Sequence, residues 1–566
     1  MAKNNGSRPW VNSYDKGLDA DLAIPNVTYV DLLEKSMKEK PARPVLHYMG
    51  RTLTFMDLDD LSARFASYLQ KNEIGQGRVV GINLPNIPEY LIAFAGALRA
   101  GCAVTGISPL LSPGEMEYQI NDANADALVI MDVLFEKKLY KIKDKIPGLK
   151  KIITAGVGDS LPPVKRILGS LLGKIPKGKI MPVPGKEVLT FKRLFKENRP
   201  MASQIKISPE ETCLIQYTGG TTGTPKGTLL THANMAANVE QICKWINFET
   251  GHDVLCSAFP LFHLAGLIFG MVAMATQNPQ CLIPDPRNIK HICKEMAERR
   301  PTIIANVPTL YQMLLEEPVF KTLNFSGTRI FISGAAPFSV ESINAMESVV
   351  GKGKVMEVYG MTETSPILTM NPFLGKKKIG SVGLPIQNTM VKLVDIETGT
   401  REVGFDEEGE IIASGPQIMK GYHNKPEETD NALREYEGSK YFYSGDIGKM
   451  DKDGYLYIVD RIKDMLIVSG YKVFSREVEE KLYQHPDIEF CAIVGVPDPK
   501  RSGNEMVKAV IQLLAASKKK DVKKLEQEII SFCQENMAPF KVPKIIEIVD
   551  EIPLTSVGKV DKKMLR

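Results

Sequence analysis

Short apolar runs alternate with longer stretches of helical periodicity along the first part of the chain. Residues 79–82, 127–130 and 151–153 predict buried strands, and residues 89–100 predict a helix that follows the first of them. Buried strands separated by helices are typical of a parallel sheet that carries helices on its faces. The pattern therefore predicts an α/β fold.

Polar residues mark where two early helices begin. Thr28 and Thr54 precede Asp31 and Asp57, respectively, at the spacing of a capping box, in which each side chain bonds the other residue's backbone N–H. Further along, residues 258–266 lead into an apolar helix that contains glycine, and residues 329–337 and 355–366 place small-residue or polar turns at the ends of apolar strands. Such turns at strand ends are where α/β sheets bind ligands.

The pattern changes character twice in the second half of the chain. Residues 380–460 contain short alternating segments, among them 390–394 and 409–412, separated by Gly and Pro, which predicts a small antiparallel β-subdomain. Beyond residue 460 the pattern is mixed α+β. We therefore predict a large N-terminal domain over 1–460, made of two α/β subdomains and the β-subdomain, and a small, mobile C-terminal domain over 461–566.

A basic amphipathic segment over residues 137–186 interrupts the α/β rhythm. Seven lysines lie within residues 137–151, and residues 164–175 carry a helical stripe of Val164, Ile167, Leu168, Leu171, Leu172 and Ile175. The bases Lys165, Arg166 and Lys174 lie off the stripe. Two interpretations stay open: peripheral contact with an anionic membrane, or a helix packed on the protein with a solvated charged face.

Composition narrows the class of protein. At 566 residues the chain is too long for one core, and its formal net charge of +4 gives no reason to expect nucleic acid binding. The eight cysteines are scattered without a C-x-x-C pair, which predicts buried thiols in a reducing compartment. The polar start shows no signal peptide, and the apolar run 264–275 is too short to span a bilayer, so we expect a cytoplasmic protein.

Residues 217–227, Tyr-Thr-Gly-Gly-Thr-Thr-Gly-Thr-Pro-Lys-Gly, combine glycines, threonine hydroxyls and Lys226. Glycine lets backbone N–H groups approach an anion closely, hydroxyls add donors, and lysine adds a positive charge. The stretch therefore predicts a phosphate-binding loop, with a flexible surface loop as the alternative. It is not a Walker A loop, because Gly227 and Thr228 follow the lysine where that motif needs Ser or Thr directly.

Several such motifs follow one another in a fixed order. They lie at residues 217–227, 259–263, 333–337, 359–363, 443–446, 460–464, 469–472 and 553–559. With this order the chain resembles the adenylate-forming acyl-CoA synthetases over essentially its whole length, and within them the bacterial long-chain fatty acid–CoA ligases. The resemblance implies that a carboxylate attacks the α-phosphorus of ATP to give acyl-AMP and pyrophosphate. Coenzyme A then displaces AMP to give a thioester.

The resemblance also implies a role for each motif. ATP and coenzyme A are co-substrates and Mg2+ is the cofactor, with Glu363 as its ligand. The implied catalytic residues are Lys559, Glu363, Thr218 and His263. The implied ATP and AMP site contains Thr218, Gly219, Gly220, Thr221, Thr222, Gly223, Thr224, Lys226, Gly334, Ala335, Ala336, Tyr359, Gly360, Met361, Thr362, Asp446 and Arg461. In this assignment Tyr359 stacks on adenine, Asp446 and Arg461 bind the ribose, and Lys559 bridges the carboxylate and the α-phosphate.

The second half-reaction needs a different arrangement of the same site. The resemblance implies a hinge near Lys463, about which the C-terminal domain rotates to bring up the coenzyme A segment of Ser469, Gly470, Tyr471 and Lys472. The implied acyl pocket contains His263, Leu264, Gly266, Leu267 and Gly360. His263 is favoured as a gate to that pocket, and a packed histidine is the alternative.

Other readings of the same residues stay open. The substrate could be a medium-chain, aryl or alicyclic acid rather than a long-chain one. The product could be an acyl-AMP handed to a carrier protein, or the chain could be a degenerate protein that binds acyl groups or nucleotide without catalysis. The expected partners are a fatty acid, ATP and coenzyme A, with no nucleic acid, and a homodimer is left open.

Overall fold

The computed structural model describes residues 8–200, 205–218, 224–469, 471–499, 505–555 and 560–566. It has the mixed α/β architecture that the hydrophobic pattern predicts. Strands and helices are numbered below in chain order.

A nine-stranded sheet forms the middle of the molecule. Its strands, in spatial order, are β16 (Leu384–Pro385), β15 (Ile367–Met370), β14 (Val355–Gly360), β13 (Ile330–Ser333), β12 (Ile303–Asn306), β10 (Leu255–Ser257), β11 (Gln280–Leu282), β1 (Pro44–Tyr48) and β2 (Arg51–Thr54). The strands from β14 through β1 are parallel, and those at the two edges are antiparallel. Parallel neighbours bring the turns after β13 and β14 to the same edge of the sheet.

An eight-stranded sheet contains the other α/β repeats. Its strands, in spatial order, are β19 (Gly421–Tyr422), β9 (Lys226–Thr231), β8 (Thr212–Thr218), β4 (Ala103–Gly106), β3 (Val79–Asn83), β5 (Ala125–Met131), β6 (Lys151–Ala155) and β7 (Glu187–Thr190). The strands from β8 through β7 are parallel, whereas β8, β9 and β19 pair in antiparallel fashion. The sequence pattern missed β9, whose lysine and glycine resemble the loop before it, and β19, which has only two residues.

Two smaller sheets and a hairpin complete the strands. The β-subdomain is antiparallel, as predicted, and contains β17 (Met390–Val394), β18 (Gly409–Ser414), β20 (Leu433–Tyr436), β21 (Ser439–Met450) and β22 (Leu456–Arg461). The C-terminal part contains the hairpin β23 (Leu466–Val468) and β24 (Tyr471–Val473) and a sheet of β25 (Ile488–Pro497), β26 (Glu505–Leu513) and β27 (Ile545–Val549). A separate apolar core, drawn from residues 466–542, holds that part together.

Helices cover the sheets, and several of them begin at a side-chain cap. They are α1 (Tyr29–Glu39), α2 (Phe55–Lys71), α3 (Pro88–Arg99), α4 (Pro113–Asp122), α5 (Asp132–Lys137), α6 (Pro163–Leu171), α7 (Phe191–Glu197), α8 (His232–Ile246), α9 (Leu264–Ala275), α10 (Ile289–Arg299), α11 (Pro308–Glu316), α12 (Pro318–Lys321), α13 (Val340–Val350), α14 (Pro426–Ala432), α15 (Ser475–Leu482) and α16 (Val522–Asn536). Both predicted capping boxes, at Thr28 and Thr54, are confirmed. In the part of the chain that the structure describes, no helix is long and apolar enough to cross a membrane.

Helix α6 forms where the stripe predicts it, but its apolar face is not packed on the described protein. Val164, Ile167, Leu168, Leu171 and Leu172 are 53–78% exposed. Only Ile175, at the end of the stripe, packs against the main core. The helix is held through its polar side instead, where the Lys165 ammonium donates to the Met49 carbonyl over 2.8 Å.

Candidate active site

Three of the predicted nucleotide-binding side chains form one cluster. The Tyr359 phenol, at the end of β14, donates to Asp446 Oδ2 over 2.7 Å, and Arg461 Nε lies 3.0 Å from Asp446 Oδ1. Antiparallel pairing of β21 and β22 places Asp446 directly opposite Arg461. Burial and the charge of Asp446 raise the pKa of Tyr359 well above its usual value, so the phenol remains a donor. The cluster thus offers an aromatic ring beside a carboxylate and a guanidinium.

The small residues of the two neighbouring turns are required by close approach. A Cβ on Gly360 would lie 1.8 Å from the Pro366 carbonyl oxygen, so no other residue fits there without moving backbone. A Cβ on Gly334 would lie 2.8 Å from a methyl of Val358. Ala335 has a left-handed backbone, with φ of 68°, and Ala336 follows it. The turns after β13 and β14 lie side by side, because the two strands are parallel neighbours.

The turn after Gly360 presents the expected metal ligand. Residues Thr362–Thr364 form one turn of 3-10 helix, and the Met361 N–H donates to Thr364 Oγ1 over 3.1 Å. Thr362 is buried and Glu363 is half-buried. The Tyr422 phenol donates to Glu363 Oε1 over 2.8 Å and so fixes the orientation of that carboxylate.

The Gly/Thr stretch is the connection of a β-hairpin rather than a long loop before a helix. Thr218 on β8 pairs with Lys226 on β9, so the predicted loop is shorter than residues 217–227. Thr224 is exposed. Five further predicted residues of this loop lie outside the described part of the chain: Gly219, Gly220, Thr221, Thr222 and Gly223.

Lys226 faces the same region as Glu363. Its ammonium forms an ion pair with Glu428 and lies 5.0 Å from the centroid of the Tyr422 ring. Tyr422 therefore touches both the lysine of the predicted phosphate loop and the predicted metal ligand. Sequence reasoning missed Tyr422 and Glu428, because only the pairing of β19 with β9 brings them to this place.

The donor set fits a magnesium ion that is bound chiefly through nucleotide. Among the described residues, no three His, Cys, Asp or Glu side chains come together in a metal-binding group. Glu363 offers a single oriented carboxylate, and the preceding residue, Thr362, adds a hydroxyl in the same turn. Mg2+ commonly takes one or two protein carboxylates and completes its shell with phosphate oxygens and water.

His263 and the predicted acyl residues lie at the start of helix α9. The His263 ring Nδ1 accepts from the Ala265 N–H over 3.3 Å and so caps the helix. A Cβ on Gly266 would lie 2.3 Å from the Pro260 carbonyl oxygen, which explains the glycine. Leu264 and Leu267 are buried. Helix α9 is thus packed in the core, and its role in lining an acyl pocket stays a prediction.

The predicted hinge and coenzyme A segment lie just beyond the β-subdomain. Burial lowers the pKa of Lys463, with the charge of Arg461 as a second cause. Ser469 has a left-handed backbone at the tip of the β23–β24 hairpin, with φ of 51°. The Tyr471 ring stacks on the Phe540 ring at 4.6 Å between centroids, and Lys472 Nζ lies 3.3 Å from Glu397 Oε1. Gly470 and Lys559 lie outside the described residues.

The fold and this cluster define an α/β protein that presents a ring, a carboxylate and cations at the edge of a parallel sheet. The chain belongs to the AMP-binding enzyme family, whose model matches residues 33–423. The model of the AMP-binding enzyme C-terminal domain matches residues 477–559.

Full-length relatives agree with this assignment. The chain is 36% identical to a long-chain-fatty-acid–CoA ligase of Bacillus subtilis (strain 168) over 561 residues, or 99% of this chain and 97% of the relative. It is 34% identical to a long-chain-fatty-acid–CoA ligase of Escherichia coli O157:H7 over 566 residues, or 98% and 97%. A crystal structure of an anthranilate CoA ligase with anthranoyl-AMP superposes with a TM-score of 0.82 at 25% identity, covering 96% of this chain and 97% of that one.

Proposed function

We propose that the protein is an ATP-dependent fatty acid–CoA ligase that acts on long-chain acids. The observation that carries the proposal is the Tyr359–Asp446–Arg461 cluster. It offers groups suited to an adenine ring and ribose hydroxyls, in a chain that aligns end to end with long-chain ligases. Medium-chain, aryl and alicyclic acids remain alternative substrates.

The first half-reaction brings together two anions, so charge neutralisation and positioning dominate its catalysis. The substrate carboxylate oxygen attacks the α-phosphorus and the bond to pyrophosphate breaks. Lys226 and the hairpin loop hold the leaving pyrophosphate, and Lys559 offsets the charge that develops between the carboxylate and the α-phosphate. The hydroxyls of Thr218 and Thr362 donate hydrogen bonds to phosphate oxygens. When bound beside Glu363, Mg2+ would supply further positive charge to the phosphate oxygens.

The second half-reaction requires the coenzyme A sulfur to attack the same carbonyl carbon, with AMP leaving as the carbon–oxygen bond breaks. Lys559 and the coenzyme A thiol cannot both occupy the same approach to this carbonyl carbon. Rotation of the C-terminal domain about Lys463 would exchange Lys559 for the segment of Ser469 to Lys472. In this scheme His263 separates the acyl pocket from the adenylate.

A substrate screen tests the proposal. Purified protein is incubated with ATP, Mg2+, coenzyme A and one acid at a time, chosen from saturated acids of about 6 to 18 carbons, benzoate and a cyclohexane acid, and pyrophosphate and acyl-CoA are measured separately. We expect both products, with the highest kcat/KM for the long chains. Pyrophosphate without thioester would favour a carrier-linked acyl-AMP ligase, and neither product with any acid would contradict catalysis altogether.

We also propose that helix α6 docks on an anionic membrane surface, where long-chain acids partition. Its five exposed apolar side chains form one stripe, and the neighbouring Lys165, Arg166 and Lys174 are exposed as well. An apolar face flanked by bases suits the boundary between acidic headgroups and acyl chains. Attachment of this kind is reversible.

A further inference from the structure

We propose that Tyr422 and Glu428 are positioning residues of the nucleotide site. Tyr422 couples the phosphate-binding Lys226 to the metal ligand Glu363, and Glu428 holds the Lys226 ammonium in place until the triphosphate displaces it. This inference rests on the proposed function, because it assigns roles to two residues in the binding of the same ATP.

The segment that carries both residues is fixed to the two elements it would couple. We call residues 419–429 the strap. The Met419 N–H donates to the Glu363 carbonyl over 2.9 Å, which ties the strap to the turn after β14. The Lys420 N–H donates to the Leu229 carbonyl over 3.0 Å and the His423 N–H to the Gly227 carbonyl over 2.7 Å, which ties it to β9. The strap is thus a backbone bridge between the lysine strand and the glutamate turn.

Tyr422 uses both ends of its side chain. Its hydroxyl donates to Glu363 Oε1 over 2.8 Å, and its ring lies beneath the Lys226 ammonium at 5.0 Å. One phenol therefore fixes the orientation of the carboxylate and, through a cation–π contact, the position of the ammonium.

Glu428 supplies the negative charge that the bound nucleotide would otherwise supply. Its carboxylate pairs with Lys226 while both side chains are partly exposed, at 47% and 31%. An exposed pair of this kind is weak and is screened by water. A triphosphate brings several charges to the same ammonium and displaces Glu428 readily. Glu428 thereby occupies the Lys226 ammonium in the free protein and competes with ATP for it.

The two residues are tested by calorimetric titration of ATP into the protein, with Mg2+ and with EDTA instead. Glu428→Gln removes the competing charge, and we expect ATP to bind about two- to fivefold more tightly under both conditions. Glu427→Gln is the matched control, because Glu427 is the adjacent exposed glutamate. ATP binding by Glu428→Gln no tighter than by Glu427→Gln would overturn the role of Glu428.

Tyr422→Phe keeps the ring beneath Lys226 and removes the donor to Glu363. We expect ATP binding in EDTA to be unchanged and the Mg2+ concentration for half-maximal tightening to rise about tenfold. The control is Tyr457→Phe, which removes another phenol that donates to a carboxylate, Asp451, over 3.2 Å. An Mg2+ dependence equal to that of the control would overturn the role of Tyr422.

ATP binding and pyrophosphate release by the wild-type protein distinguish a failure of this inference from a failure of the proposed function. Wild-type protein that binds ATP but releases no pyrophosphate with any acid would contradict the ligase activity and leave the titrations interpretable. Wild-type protein that does not bind ATP would overturn both. The thermal midpoints of all variants are compared with wild type, and Tyr422→Leu, which removes ring and hydroxyl together, should weaken ATP binding even in EDTA.

Discussion

The Tyr359 phenol donates a hydrogen bond to the Asp446 carboxylate over 2.7 Å, and this contact joins the nine-stranded sheet to the β-subdomain. Asp446 is only 4% exposed, so its orientation is set by its protein partners rather than by solvent. Arg461 holds the other carboxylate oxygen at 3.0 Å. A ribose that binds here would meet a carboxylate whose position is already fixed.

Tyr359→Phe should weaken the binding of ATP and AMP about tenfold, because Asp446 loses the donor that holds one oxygen in place. The dissociation constants can be measured by calorimetry. Tyr457→Phe again serves as a control for the loss of a phenol–carboxylate bond elsewhere, and we expect it to bind nucleotide like wild type. Equal affinities for wild type and Tyr359→Phe would mean that Arg461 alone fixes Asp446.

Glu89 should make the fold less stable as the pH rises from about 4.5 to about 7. Burial raises its pKa to about 7, although the Ser160 hydroxyl donates to it over 2.6 Å. Below that window the carboxyl is protonated in both the folded and the unfolded state. Within it the unfolded chain loses the proton first, so the free energy of unfolding falls, by about 3 kcal/mol in total.

Glu89→Gln removes this contribution, so its thermal midpoint should exceed that of wild type at pH 8 and approach it at pH 5. Scanning calorimetry at both values measures the difference. Glu357 keeps part of the decline in both proteins, because burial raises its pKa to about 7 as well. Glu535→Gln, at an exposed position, is the control. A midpoint difference that is the same at pH 5 and pH 8 would contradict the assignment.

Lys559→Ala should abolish acyl-AMP formation and leave thioester formation from supplied acyl-AMP nearly intact. In the proposed mechanism the lysine charge is needed only where the carboxylate approaches the α-phosphate, and rotation of the C-terminal domain would remove it before the thiol attacks. The two half-reactions are measured as pyrophosphate release and as coenzyme A consumption. Lys563→Ala, an exposed lysine nearby, should affect neither. Equal losses in both half-reactions would refute the division of labour.

Leu168→Ser combined with Leu171→Ser should lower binding to vesicles of mixed anionic and neutral lipid about tenfold, because both side chains are exposed on the α6 stripe. Co-sedimentation measures the bound fraction, and wild-type binding should fall as salt is raised. Leu110→Ser changes an equally exposed leucine elsewhere and should have no effect. Wild-type protein that stays in the supernatant would refute membrane docking.

Local signals were sufficient to predict much of the fold. Capping boxes located the starts of α1 and α2, and continuous apolar runs located β3, β5 and β6, because these signals lie within a few neighbouring residues. Strand β9 was not predicted, since its lysine, glycine and threonines look like a continuation of the preceding loop. Strand β19 has only two residues and is defined by its partner rather than by its own sequence.

The candidate site, too, was predicted only in part from the sequence. Tyr359, Asp446 and Arg461 were expected to meet, from the resemblance, and the structure brings them into contact. Tyr422 and Glu428 belong to no periodic pattern. The pairing of β19 with β9 brings Tyr422 to Lys226, and helix α14, which follows β19, brings Glu428 there. The exposed face of α6 was one of two open interpretations, because a helical stripe alone does not say whether another surface covers it.

The order of strands in the nine-stranded sheet has a consequence for folding of the protein during its synthesis. Strand β1 pairs with β11, at Leu46 with Gln280, although more than half of the sheet is encoded after residue 300. During synthesis the first hairpin must therefore wait for a distant partner with its hydrogen-bonding edge open. Such delayed pairing slows folding and leaves the edge of the hairpin open to association with strands of other chains.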